Sequence, residues 1–363
     1  MRKLGVSIYP ESSTMEEDKN YLNLVKENGF SRVFTCLLSV SKPKDEVKQE
    51  FQEIIAHAKQ LGLEVIVDVA PVVFDSFGIS YDDLSFFAEL GADGVRLDVG
   101  FDGLKEAKMT LNPYGLLIEL NMSNDIGYLE NILSHKPNKD KIVGCHNFYP
   151  QRFTGLPYEF FISCSQKFKK QGLRTAAFVS SDSGELGPWS INDGLCTLEE
   201  HRNLPIHVQA KHLWATGLID DVIIGNAYAS EAEIVKLGQL NRDLLELEIE
   251  FLGDIPALEK QIVLDEVHVR RGDISEYVVR SVAVRKKYKH ESILPMLEKQ
   301  QEPGDIALGN NRFGKYKAEL QVVLKAMPLD DRKNIIARVV QQEHFLMEFV
   351  DAWSSFALVE YKK

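Results

Sequence analysis

Short apolar runs recur along the first two-thirds of the chain, each followed by a stretch of helical period. They are LGVSIYP (4–10), SRVFTCLL (31–38), LEVIVDVAP (63–71), GVRLDVGF (94–101), GLLIELNM (115–122), KIVGCHNFYP (141–150), LRTAAFVSS (173–181) and DVIIGNAYAS (221–230). Their length and β-branched content predict strands covered on both faces, as parallel strands are. Between them, MEEDKNYLNLVKENG (15–29) sets Tyr21, Leu22, Leu24 and Val25 on one helical face and stops at Gly29, a residue suited to the left-handed helix end. DEVKQEFQEIIAHAKQLG (45–62), LSFFAELG (84–91) and SEAEIVKLGQLNRDLL (230–245) behave similarly. Eight strand–helix units without a long antiparallel meander predict an α/β chain whose residues 1–245 close into a (β/α)8 TIM barrel. An open doubly wound sheet is the alternative, but no GxGxxG phosphate turn follows the first strand.

Beyond residue 245 the pattern changes. ISEYVVRSVAV, GDIALG, KAELQVVLKAM and FALVEY are strand-like pieces separated by turn clusters such as PGD and GNNRFG. Residues 246–363 are therefore expected to form a smaller, mainly antiparallel β domain, a barrel being one form of it. Arg270, Arg271, Asp273, Glu276 and Arg280 make a local charge cluster there, read as a solvated salt-bridge network, a barrel-mouth cap or a dimer contact.

Composition narrows the classes. The 363-residue chain is 44% hydrophobic with a formal charge of −12, which opposes nonspecific binding to nucleic acid or anionic membranes while leaving room for a local basic pocket. No apolar run approaches the roughly 20 residues of a membrane span. MRKLGVSIYPESS reads as a buried first strand rather than a signal peptide. Cys36, Cys145, Cys164 and Cys196 are widely spaced with no CxxC, so reduced thiols in a cytoplasmic protein are expected.

In a (β/α)8 barrel the chemistry sits where strands end. Here the ends carry Ser7 and Glu11, Thr35, Asp68, Arg96 and Asp98, Glu119 and Asn121, His146 and Asn147, Ser180 and Ser181, and Asn226. The two-residue period puts Arg96 with Asp98, and Glu119 with Asn121, on one side of their strands. Any one of these alone reads equally as a satisfied structural group. Several buried carboxylates together are costly unless paired, and a site accounts for them better. HExxH, DxDxDG and Cys/His ligand spacings are absent, so no metal and no cofactor is indicated, an oxygen-rich site from Asp68, Asp98 and Glu119 being the alternative. No GxSxG elbow is present and lysines are scarce at strand ends. Two carboxylates flanking a glycosidic bond suit the inventory best.

Two connections stand out. HNFYPQRFTGLPYEFF (146–161) mixes aromatics with Arg152, Thr154 and Gly155, residue types that stack on sugars and hold anions, or simply a rigid rim loop. SGELGPWSINDGLCTLEEHRNLP (183–205) is long for its position and reads as a lid or a substrate wall. Its TLEEHR stretch brings Glu199, Glu200, His201 and Arg202, or an ordinary helix start capped by Thr197 with Glu200 three residues on.

The set SIYPE, VDVAP, RLDVGF, IELNMS, HNFYPQRFTGL, TLEEHR and DVIIGN resembles the MupG-type 6-phospho-N-acetylmuramidase family over essentially the whole chain, HNFYP followed by TGL being the most specific part. The resemblance implies a (β/α)8 barrel followed by a cyclophilin-like β-barrel. It also implies a cytoplasmic exo-glycosidase of peptidoglycan recycling, which splits 6-phospho-N-acetylmuramyl-N-acetylglucosamine into N-acetylmuramate 6-phosphate and N-acetylglucosamine. The family pattern has Arg-Pro after the tyrosine–proline pair where this chain has Gln151-Arg152, and an Asp ending strand eight where it has Asn226.

On strand geometry, Asp98 and Glu119 are the first choice of catalytic pair, with Asp68 and Glu11 in reserve; substrate-assisted catalysis through the N-acetyl group is the other route. Arg152, Thr154 and Arg202 are expected at the phosphate and lactyl carboxylate. Arg96, Asn121, His146, Asn147, Tyr149, Glu199 and Asn226 complete the expected substrate contacts. The partner expected is thus a small phosphorylated amino-sugar disaccharide, not nucleic acid or membrane, with a homo-oligomer open. Another phosphosugar activity of this fold (isomerase or lyase) and a ligand-binding or surface protein are the competing readings; carboxylates concentrated in the pocket oppose simple anion binding.

Overall fold

The computed structural model describes residues 2–37, 43–124, 126–297 and 299–362; Leu38, the last residue of the second apolar run, lies outside them. The chain divides into two compact units, Met1–Gln239 and Leu240–Lys363.

In the first unit β1 (Lys3–Ile8), β2 (Arg32–Cys36), β3 (Glu64–Val69), β4 (Gly94–Leu97), β5 (Leu117–Asn121), β6 (Ile142–Cys145), β7 (Arg174–Val179) and β8 (Asp221–Ile224) fall in the eight apolar runs. All neighbours pair in parallel, and β8 returns to β1 through Lys3↔Asp221 to Val6↔Ile224. That closure rules out the open sheet. The helix Met15–Glu27 starts at Thr14, whose side chain and that of Glu17 form a reciprocal capping box, which satisfies donors the first turn leaves free.

Alternation along parallel strands decides which residues point inward. The inward set is unusual for its charges. Glu64 binds Lys3 at 2.8 Å and Arg174 at 2.5 Å. Arg174 and Arg32 both bind Asp221, Arg32 at 2.7 Å, and Arg32 also binds Glu119. Arg32, Glu119 and Asp221 have fully buried side chains. Ions this deep are tolerable only when paired, so each link supports the next. Gly5 makes room for the arginine: a Cβ there would meet the Arg32 Cβ and main-chain oxygen at 3.2 Å. Above this column the lining turns apolar and aromatic, with Tyr9, Phe34, Cys36, Cys145 and Phe178 in one cluster.

The second unit is a seven-stranded mixed sheet. Its strands are β9 (Leu245–Phe251), β10 (His268–Val269), β11 (Val278–Ser281), β12 (Asp305–Gly309), β13 (Leu320–Val323), β14 (Lys333–Val339) and β15 (Ser355–Glu360). They run in the order β10-β15-β9-β14-β12-β13-β11. Among the described residues only β15 and β9 pair in parallel; an Arg270–Ser281 bridge links the edges, so the sheet nearly closes. The charges grouped in the sequence disperse here. Arg271 pairs with Asp273, Arg280 with Glu319 at 2.8 Å and Glu276 with Lys325 at 3.0 Å, while Arg270 donates to the Val350 and Ser275 carbonyls.

Candidate active site

The C-terminal ends of β3 and β4 bring two carboxylates onto one guanidinium. Register places Asp68 beside Arg96, and the Arg96 Nη1 donates to Asp68 at 2.6 Å and to Asp98 at 3.3 Å. Its Nη2 donates to the Asn147 side chain. Arg96 and Asp68 are buried, whereas the Asp98 side chain is 32% exposed. Burial pushes the Asp68 carboxyl up to about 7, with the Asp98 charge acting in the same direction; Arg96 opposes the rise. The Cys36 thiol lies 3.8 Å from its second oxygen. One carboxyl thus holds its proton near neutrality while its neighbour faces solvent, a division of labour suited to acid catalysis.

Asn121 extends the group: its amide donates to the Asp98 carbonyl at 2.9 Å and its oxygen accepts from Ser123 N at 2.9 Å. Asp98, Phe101, Asn121, Asn124, Ile126 and Tyr128 line a cavity of about 220 Å³. That is small beside the roughly 300–1,000 Å³ of a whole-ligand pocket, and suits a single sugar ring. A larger cavity of about 700 Å³ opens in the second unit around Arg270 and Met347, but no two carboxylates there meet on one cation among the described residues.

Other expected residues lie elsewhere. Glu119, the anticipated partner of Asp98, has no exposed surface and is ion-paired to Arg32 inside the barrel. His146 points away from the barrel lumen: its ring nitrogens meet Ser123 at 3.1 Å and Ser165 at 2.9 Å, and it packs against Phe161 of the helix Tyr158–Lys170. Burial lowers it to about 3, so it stays neutral; the Ser123 hydroxyl that it meets also accepts from Asn147 N at 2.8 Å. Glu11 is partly exposed beyond β1 and makes no side-chain hydrogen bond or ion pair among the described residues. With Arg96 between Asp68 and Asp98, a guanidinium supplies the countercharge that an oxygen-rich cation site would draw from a metal.

The two rim connections form one wall. Tyr149 N donates to the Cys196 carbonyl at 3.0 Å, Asp193 N to Pro150 at 2.8 Å and Leu156 N to Thr197 at 2.9 Å. At its centre Glu199 accepts the Phe153 and Gly155 amides at 2.9 and 2.8 Å and a two-pronged contact from Arg202 at 2.7 and 2.8 Å. The Arg202 fork, aided by those amides, holds Glu199 at about 2. Gly155 is required, since a Cβ would stand 2.7 Å from the Glu199 carboxylate. The remaining Arg202 donors go to the carbonyls of Tyr149, Gln151, Asp193 and Gly194. A carboxylate of the chain therefore fills the anion cradle, and Arg202 is committed to protein acceptors. Thr197 caps no helix; its hydroxyl accepts from Phe178 N at 2.9 Å and donates to the Asn147 carbonyl at 2.8 Å.

Arg152, by contrast, is 65% exposed and only 3.8 Å from Asp193 at its nearest charge contact, and the Thr154 hydroxyl donates to Gln151. Asn226 is buried with its amide fully used: it donates to Ser181 and Gly184 carbonyls at 2.8 and 2.7 Å and accepts from Ser181 N at 2.8 Å. At the usual phosphate position after strands seven and eight, Glu233 accepts from Asp182 N, Ser181 Oγ, Ser230 N and Ser230 Oγ.

Cys36, Ser123 and the exposed aromatics Phe153 and Trp189 were not singled out as site residues from the sequence. Parity with Asp68 and Asp98 would have found Cys36, while the other three need the loops folded.

A family model described as 6-phospho-N-acetylmuramidase, N-terminal, matches residues 4–239, and its C-terminal counterpart matches residues 245–359. Among solved structures, an uncharacterized B. cereus protein is 62% identical over 99% of both chains with a TM-score of 0.93. A conserved Enterococcus faecalis protein of unknown function is 26% identical over 99% of this chain and 96% of that one, with a TM-score of 0.72. No curated protein matches the chain.

Proposed function

The chain belongs to the 6-phospho-N-acetylmuramidase family, and from that premise we propose that it hydrolyses 6-phospho-N-acetylmuramyl-N-acetylglucosamine to N-acetylmuramate 6-phosphate and N-acetylglucosamine in peptidoglycan recycling. The observation that carries this reading is the Asp68–Arg96–Asp98 group at the mouth of the barrel. Asp68, raised to about 7, is the proton donor to the leaving oxygen, and Asp98 is the carboxylate that faces the sugar.

Both acids reach one nitrogen at 2.6 and 3.3 Å, so their nearest oxygens are less than the sum of those distances apart. That closeness favours the roughly 5–5.5 Å spacing of a retaining pair over the roughly 6.5–9.5 Å of an inverting one. It suits equally a route in which Asp98 orients the substrate's own acetamido group for attack. Glu119 is assigned to the structural column under the site, with Glu11 as the reserve contact on the open side. Arg152 and Thr154 on the rim wall are assigned to the phosphate, and Phe153 and Trp189 to stacking on sugar faces. All four cysteines are buried and none is in a disulfide, and no helix among the described residues is long and apolar enough to cross a membrane. We place the enzyme in the cytoplasm, with the second unit as the family's cyclophilin-like domain.

The test is to incubate the protein with the phosphorylated disaccharide, its unphosphorylated form and chromogenic muramides. Cleavage restricted to phosphorylated substrate, lost in Asp98→Asn by at least about a hundredfold with an unchanged melting temperature, is expected. Failure to cleave any of the three would overturn the reading.

A further inference from the structure

We propose that Glu200, His201 and His212 form a site for one divalent transition-metal ion, zinc being the best fit, which fastens the wall after β7 to the helix behind it. His201 and Glu200 lie on the short turn Glu199–His201, and His212 on the helix Ile206–Ala215. His201 Nε2 stands 2.8 Å from His212 Nδ1, and His212 Nδ1 is 3.6 Å from the Glu200 carboxylate. One ligand atom from each of the three falls within 4.8 Å of the others. Tetrahedral coordination at roughly 2.0–2.2 Å needs ligand atoms about 3.3 Å apart. The observed distances straddle that value, and small side-chain shifts bring all three onto one ion.

The chemistry of the set agrees. Two imidazoles and one carboxylate, with a fourth position for water, are the ligands zinc takes in open sites. Two ring nitrogens facing each other across a hydrogen bond cannot both carry protons, so a lone pair is already presented at this point. On binding, the proton between the rings moves to the far nitrogen of its own ring and the metal takes its place. The other ring nitrogen of His201, Nδ1, is buried without a hydrogen-bond partner, so no second bond holds the ring against the small turn that ligation through Nε2 requires. The Tyr158 ring lies over His212 at 5.3 Å and 22°, fixing its orientation as outer partners of metal ligands do. Glu200 is 48% exposed and provides the way in. The neighbouring Glu199 holds the Phe153–Gly155 loop, so an ion here ties down the residue adjoining that clamp.

The experiment uses the full chain freed of metal by chelator and dialysis, titrated with Co2+ and then competed with Zn2+. A saturable visible absorption band of low-coordinate Co2+, displaced by Zn2+, is expected, together with a zinc-dependent rise in melting temperature. Glu200→Gln alters an exposed side chain, so that variant folds; it should weaken Co2+ binding at least about tenfold and remove the thermal shift. Absence of the band, or equal affinity in Glu200→Gln, would overturn the proposal. Because the readout is metal binding and not turnover, its failure is distinct from failure of the glycosidase reading.

Discussion

Replacing Asp68 by Asn isolates the proton donor at almost no cost in shape. The amide oxygen can still accept from Arg96, which lies 2.6 Å away in the native site, but the side chain no longer has an acidic proton. General acid catalysis is worth about 10²- to 10⁴-fold, so kcat should fall by that factor. The wild-type rate should decline above about pH 7, where Asp68 gives up its proton, and the residual rate of the variant should lack that limb. Stability should move the other way. Between about pH 4 and 7 the native chain holds this proton while the unfolded chain has lost it, so stability falls as pH rises through that window. Raising a carboxyl from near 4 to about 7 corresponds to roughly 4 kcal/mol in favour of the neutral form. The neutral amide escapes that penalty, although Arg96 then relies on Asp98 alone for countercharge. Urea denaturation at pH 8 should therefore find Asp68→Asn no less stable than wild type and up to about 4 kcal/mol more stable, the advantage shrinking toward pH 4. A kcat within tenfold of wild type, or a variant less stable at pH 8, refutes the reasoning.

Glu119→Gln should act on folding rather than chemistry. Arg32 then keeps only Asp221, and breaking a buried pair costs about 3–5 kcal/mol, readable in urea; a stable variant with selectively lost kcat would restore Glu119 to the catalytic pair. Glu199→Gln should loosen the rim wall by about 1–2 kcal/mol at pH 7. Because Glu199 is held at about 2, this contribution is present above the usual carboxylate value and lost as pH falls toward 2, so the two proteins should converge in acid. Asn226→Asp puts the residue of the family pattern into this chain, and replaces the amide nitrogen that donates to both the Ser181 and Gly184 carbonyls by an oxygen facing them. A loss of about 2 kcal/mol is expected, and an unchanged melting temperature would show that the loops readjust. Arg152→Ala should raise KM for the phosphorylated disaccharide about tenfold or more with little change in stability, since the side chain is 65% exposed and a charge-assisted phosphate contact is worth about 1.5–3 kcal/mol; an unaltered KM would remove it from the phosphate site.

The barrel was legible because its determinants are local. Strands covered on both faces must be apolar runs, and helices must carry a stripe, so eight repeats announce eight strands before any contact is known. Period-two alternation likewise put Arg96 with Asp98, and the register puts Asp68 at their side. Charge itself carries no depth, so a residue's place along the chain does not tell a buried ion from an exposed one. Glu119 has the same parity as Asp98's neighbours and looked equally available; only closure of the barrel brings Arg32, from a strand far away in sequence, against it.

The rim shows the same division more sharply. Composition alone marked Arg202 and Arg152 as two anion binders on neighbouring loops. Folding gave Arg202 an internal anion, Glu199, because the loops after β6 and β7 interleave their backbones and leave amide hydrogens needing an acceptor. Arg152, on the outer surface of the same wall, was left free of such a demand. His201 and His212, on separate elements, follow no linear ligand spacing and meet only when the turn packs on the helix. The chain by itself determined which elements form and which polar groups stand at their ends, since both follow from spacing. Which of those groups find partners inside the molecule, and which remain for a substrate, depends on distances between residues remote in sequence, and that only the tertiary structure decided.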